Sequence, residues 1–272
     1  MASMCEEKMA KYHICINKED TSRMIKTARE HKVTLSNIAE MLWGLVLMKY
    51  AGLDDIVFGK VVSGRNADIK GIENAVGIYV NIVPERIKIN KESTFQSVLR
   101  QIAEDYYEGL NYEYCPLAEI QAGTALKSHL IGSIFTFENF IPSNTDIGDP
   151  EYCKINLHAY REETNYEISV KAGVSETLDF DILYNPNTYT LAEISLIGQR
   201  IELFASELAQ NVNTKISEMK LVTADETYQI LNVFNATNIE IKEKETINSV
   251  FERIVEENAD KVAVVCGAHK LT

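Results

Sequence analysis

The chain has 272 residues, 46% of them hydrophobic, which is enough to build a sizeable core and too apolar for a disordered chain. Its formal net charge of −13 argues against nucleic acid as a partner, because phosphate backbones select the opposite sign. The longest apolar run, residues 41–48, is far too short to span a membrane, and no basic stretch leads into an apolar one at the N-terminus, so neither a membrane nor a secretory signal is expected. Cys5, Cys15, Cys115, Cys153 and Cys266 are odd in number, widely spaced and free of any CxxC pair. That pattern speaks against a zinc site or a disulfide framework and fits a reducing cytoplasm. Most of these cysteines are expected to be small buried apolar residues.

Taken in chain order, residues 12–16 read as a short strand and residues 22–31 as a helix. Residues 36–50 read as a second helix, with Ile38, Met41, Leu42, Leu45 and Val46 at helical spacing. Ala39, Trp43, Leu47 and Met48 occupy its other face, so burial nearly all round is expected, with Gly52 ending it in a left-handed turn. Strands follow at residues 56–62 and 76–83, separated by a loop containing Gly and Asn; Pro84 should break the second ladder or sit at a sheet edge. Ser93 with Gln96 has the spacing of a capping box, ahead of a stripe of Phe95, Val98, Leu99, Ile102, Ala103 and Tyr106.

Further strands are expected at residues 131–137, 155–160, 166–172 and 178–184, the last two forming a hairpin. Thr190 with Glu193 opens a long helix carrying Ile194, Ile197, Ile201, Phe204 and Leu208 on one face. Thr223 with Glu226 opens a shorter helix through Phe234. Residues 235–245 are polar and read as a linker, followed by a helix at 246–258 and a strand at 261–266. Interspersed strands and helices place the chain in the α/β or α+β class.

One ordered series stands out: Val62-Ser63-Gly64-Arg65, then Gly71-Ile72-Glu73, then Val76-Gly77-Ile78-Tyr79-Val80-Asn81-Ile82-Val83-Pro84-Glu85-Arg86. It resembles the SGR…GIE…VGxFxNTxPxR stretch of the condensation domains of nonribosomal peptide synthetases, with Tyr79 for the usual Phe and Ile82 for the usual Thr. The run from Asn111 to Gln121 resembles the family's xYPLxEIQ motif, with Cys115 where an aromatic is common. Phe137-Glu138-Asn139 and Thr164-Asn165-Tyr166 match two further landmarks. Downstream, Phe251, Ala263-Val264-Val265-Cys266-Gly267 and Leu271-Thr272 resemble the start of an adenylation domain.

The resemblance implies an α/β fold like chloramphenicol acetyltransferase, in which two lobes form a V and carrier-bound substrates meet in the channel between them. It implies three parts here: a C-terminal lobe over residues 1–221, a linker over 222–245 and the start of an adenylation domain over 246–272. The implied reaction joins an amine to a thioester, both delivered on phosphopantetheine arms of carrier domains. Those arms visit; no cofactor is expected to be bound by this chain.

The family's catalytic motif, HHxxxDG, belongs to the other lobe. His13, His31, His129, His158 and His269 do not form it, so no catalytic residue is assigned here and the isolated chain is expected to be inactive. No HxH or HExxH cluster suggests a metal, and no GxxxxGK[ST] loop suggests ATP.

The resemblance makes Asn165, Ser133, Glu138, Asn81 and Gly77 candidates for the substrate channel, and Arg65 and Arg86 candidates for ion pairs bridging the lobes. Each has a plainer reading beside it. Gly77 and Asn81 equally suit close strand packing and a strand end, Asn165 equally suits a turn, and the arginines equally suit local pairs. The implied partners are the HHxxxDG-bearing lobe, peptidyl carrier domains and an adenylation domain in cis. Two alternatives stay open: an epimerization or heterocyclization relative, and a non-catalytic module that docks carrier domains.

Overall fold

The computed structural model describes residues 9–66, 69–138, 164–238 and 246–272. Contacts divide the chain into two units, residues 1–223 and 224–272.

In the first unit, six strands pair into one mixed sheet: β1 (Ala10–Cys15), β2 (Asp55–Val62), β3 (Asn81–Lys88), β4 (Ser133–Glu138), β5 (Ile168–Val174) and β6 (Leu178–Tyr184). Their order across the sheet is β1-β6-β5-β4-β2-β3. β4 runs parallel to both β2 and β5, and the other pairings are antiparallel. β5 and β6 form the expected hairpin. β3 begins at Asn81, later than the sequence suggests, and runs straight through Pro84 to Lys88. As an edge strand it tolerates the missing N–H. The predicted strand residues before it, Val76, Ile78 and Val80, are exposed and have no surface to bury against. The predicted strand at 155–160 lies outside the described residues.

The helices are α1 (Lys18–His31), α2 (Leu35–Ala51), α3 (Phe95–Gly109), α4 (Leu117–Ala122) and α5 (Leu191–Gln210). Their starts follow local side-chain chemistry. Asn17 caps α1, and Thr34 with Asn37 and Thr190 with Glu193 make capping boxes for α2 and α5. At α3 the box is Thr94 with Ser97, one residue later than the Ser93–Gln96 reading. Ser93 is instead buried, its Oγ accepting from the Asn90 N–H and closing the preceding turn.

α2 is buried nearly all round as its pattern requires, and Gly52 ends it at φ 64°. Trp43, Phe58, Phe95, Phe135, Phe180 and Phe204 are the largest core side chains, with Phe58 and Phe135 meeting edge to face at 6.2 Å. The predicted stripe on α5 is buried throughout. The cysteines depart from expectation: among the described residues Cys15 and Cys266 are exposed and Cys115 is half-buried. Cys15 is on the opposite face of β1 from the buried Ile14, and Cys266 is in a hairpin whose residues are all exposed.

The second unit holds α6 (Ala224–Tyr228), a wider-wound turn over Gln229–Val233, α7 (Ile247–Glu257) and a hairpin of β7 (Val264–Cys266) and β8 (His269–Leu271). The predicted strand at 261–266 is thus shorter and turns back on itself through Gly267 at φ 60°. None of the described residues in this unit is buried.

Candidate functional site

Because β2, β4 and β5 run in the same direction, their first residues gather at one end of the sheet. A cavity of about 750 Å³ opens there, walled by Leu47, Leu53, Ile56 and Ile168. Its polar groups are few: Ser133 at the start of β4, Trp43, Tyr189, and the Asp55–Arg86 pair. Ser133 is 7% exposed and stands on the sheet face that carries Phe135. Trp43 is buried, and its Nε1 has no hydrogen-bond partner. An apolar cavity with a small number of unspent polar groups is the usual form of a small-ligand site.

Asn165 is exposed in the turn that leads into β5 at this same end. Thr164, not Asn165, organises that turn: its Oγ accepts from the Tyr166 N–H at 2.9 Å and shares a 2.9 Å hydrogen bond with the Ser169 hydroxyl.

The remaining candidates lie elsewhere. Glu138 sits at the far end of β4 on the opposite face from Ser133, paired with Lys171 at 3.1 Å. Asn81 opens β3 at that far end, and its Nδ2 donates to the carbonyls of Glu113 and Cys115, both at 2.8 Å. That ties β3 to the chain leaving α3. Gly77 is in the exposed segment ahead of β3.

Arg65 stacks its guanidinium 4.5 Å from the Tyr79 ring and donates through Nη1 to the carbonyls of Ile72 and Ala75 at 2.6 and 2.9 Å. It therefore staples its own loop. Arg86 grips Asp55 on the neighbouring strand in a two-pronged pair at 2.8 and 2.6 Å. Its hydrogen bond holds the Asp55 carboxyl below the usual value. Both arginines are engaged locally within this chain.

A second group, which the sequence pattern does not single out, lies where α2, β2, β3 and α3 meet. Lys60 of β2 donates to Glu40 of α2 at 2.9 Å and lies 3.9 Å from Glu85 of β3. Ser36 donates to the other oxygen of Glu40 at 2.6 Å, and the Tyr106 ring lies 4.6 Å from the Lys60 ammonium. Burial raises the Glu85 carboxyl from 4.5 to about 7; Lys60 opposes that rise, and Glu40 and Asp105 add to it. The sequence does carry one signal: Glu40 and Lys60 interrupt segments that are otherwise apolar.

Among the described residues, no three His, Cys, Asp or Glu side chains converge as metal ligands, and no helix is long and apolar enough to cross a membrane. His13 bonds Asp181 at 2.7 Å and His31 bonds Gln96 at 3.2 Å, both on the surface and away from either group. His158 lies outside the described residues.

Residues 5–231 match the model of the condensation domain family. Bacitracin synthase 3 of Bacillus licheniformis is 34% identical over 94% of this chain, and tyrocidine synthase 3 of Brevibacillus parabrevis is 31% identical over 93%. The chain spans only 4% of each of those two proteins. Among solved structures, a holo four-domain nonribosomal peptide synthetase bound to AMP and glycine superposes with a TM-score of 0.72 at 15% identity, covering 97% of this chain and 21% of that one. The first condensation domain of the calcium-dependent antibiotic synthetase, in complex with a substrate analogue, superposes with a TM-score of 0.63 at 16% identity, covering 79% of this chain and 47% of that one. These likenesses show the fold, the mixed α/β architecture of condensation domains, which is that of chloramphenicol acetyltransferase. The ordered motifs, the sheet that carries them and the family match along residues 5–231 lead to one assignment: the chain belongs to the condensation domain family of nonribosomal peptide synthetases.

Proposed function

We propose that residues 1–221 are the C-terminal lobe of a condensation domain that forms a peptide bond, that 222–245 link it onward, and that 246–272 begin an adenylation domain. Three findings support the division. The chain matches 47% of a condensation domain's chain, as one lobe of two would. The contact boundary between Thr223 and Ala224 falls next to the proposed one. The superposition extends from 79% of the chain on an isolated condensation domain to 97% on a four-domain synthetase.

In the complete domain, the amine of one carrier-bound aminoacyl group attacks the thioester carbon of the other. The new C–N bond forms as the C–S bond breaks, the amine gives up a proton, and the thiol of the donor's phosphopantetheine arm leaves. The group that handles the proton belongs to the HHxxxDG lobe. This chain's part is to hold substrate, and the observation that carries the reading is the cavity where β2, β4 and β5 begin. Ser133 supplies a hydrogen-bonding hydroxyl there against apolar walls, and the Asn165 turn stands beside it. The partners are the second lobe, the carrier domains and the adenylation domain in cis.

The test is single-turnover dipeptide formation by the complete two-lobe domain with loaded carriers. Ser133→Ala and Asn165→Ala should each slow it by up to about tenfold, the worth of one neutral hydrogen bond, with carrier loading unchanged. Wild-type rates in both variants would remove this cavity from the substrate path.

A further inference from the structure

The Glu40–Lys60–Glu85 group lies outside the cavity proposed to hold substrate, and its charges do not balance. One ammonium faces two buried carboxylates and spends its short bond on Glu40. Glu85 is 7% exposed, and its Oε1 has no hydrogen-bond partner. An ionised carboxylate buried in this way is costly, so it takes up either a proton or a further cation.

Glu85 belongs to the wall of a cavity of about 550 Å³ between β3 and α3, within the range that holds small ligands. Asp105 of α3 and Glu113, just beyond it, add two more carboxylates to that wall. Its cations are Lys60, Arg86 and Lys88. Glu40 engages Lys60, Asp55 engages Arg86, and Lys88 is exposed at the end of β3. The remaining wall is largely apolar, with Val62, Val83 and Ile120 prominent.

We infer that this cavity is a binding site for a small primary alkylammonium, whose –NH3+ pairs with Glu85 and whose chain lies against Val62, Val83 and Ile120. The apolar wall selects an alkyl chain over a bare metal ion, for which the described residues offer no converging set of three ligands.

Calorimetric titration of the 272-residue chain with n-butylammonium chloride at constant ionic strength tests this, with n-butanol as the uncharged match. Saturable one-to-one binding of the amine is expected, with none of the alcohol. The titratable neighbours of Glu85 are Glu40, Lys60, Asp105, Tyr106 and Glu113. Burial raises the Glu85 carboxyl to about 7, so affinity should be roughly tenfold higher at pH 8 than at pH 6, following its ionised fraction. Glu85→Gln should abolish binding with an unchanged near-ultraviolet spectrum. Asp105→Asn, on the exposed face of α3, should weaken it several-fold and serves as the reporter if the Glu85 variant misfolds. Absence of saturable binding, equal binding of butanol, or full binding by a folded Glu85→Gln would each overturn the assignment.

Discussion

At the scale of single residues, the buried charges decide how stability responds to pH. The Glu85 carboxyl is raised from 4.5 to about 7, so the folded state holds its proton more tightly than the unfolded chain does. Stability from this group is complete below about pH 4.5 and is lost as pH rises through about 7, a loss of roughly 3 kcal/mol. Urea denaturation at pH 5 and pH 8 should show most of that decline in the wild type and a much smaller one in Glu85→Gln. Lys60→Met leaves Glu40 and Glu85 buried without their cation and should cost about 3–5 kcal/mol at neutral pH, less at the lower pH where Glu85 holds its proton. An equal loss at every pH would mean that packing, not charge, governs the position. Little of this is legible in the sequence. Glu40 and Lys60 are far apart along the chain, and only the packing of α2 on β2 brings them together.

At the scale of elements, local patterns carry most of the information. The stripes on α2, α3 and α5 and the Thr190–Glu193 box are readable because their partners are three or four residues apart. Thr94→Ala and Thr190→Ala should each cost about 1 kcal/mol in thermal or urea unfolding, whereas Ser93→Ala should act through its turn and its burial, leaving the start of α3 unchanged. Patterning misleads at residues 76–80, where Val, Ile and Tyr look like a strand but pair with no strand among the described residues. Burial is decided by what lies opposite, which periodicity cannot report. Gly64 shows the same limit from the other side. Its φ is +66°, and an added Cβ would meet the Tyr79 carbonyl oxygen at 1.8 Å. Gly64→Ala should therefore displace the Arg65–Tyr79 stack, measurable as altered Tyr79 ring shifts in NMR, while leaving the sheet intact.

At the scale of the whole molecule, the strand order is not readable at all. β4 inserts between β2 and β5, and nothing within its six residues specifies those neighbours. The family, in contrast, is legible from the order of short motifs along the chain, and the family match over residues 5–231 agrees. Of the candidate site residues, Ser133 and Asn165 come to the same end of the sheet, whereas Glu138, Asn81 and Gly77 do not, because positions along a strand alternate between faces and run between ends. The two units differ sharply in burial: the first holds the whole core, and the second has no buried residue among those described. Limited proteolysis should cut within 224–238 and 246–272 before it cuts within α1, α2, α3 or α5. Early cutting within α2 or α5 would contradict that hierarchy.

The reading of this chain as one lobe of a peptide-bond-forming domain is tested most directly by a single-turnover condensation assay with aminoacyl groups loaded on donor and acceptor carrier domains. The chain alone should give no dipeptide, and the chain joined to an HHxxxDG-bearing lobe should give it. Dipeptide formed at the same rate by the chain alone would place the catalytic group within these 272 residues and contradict the division of labour described above.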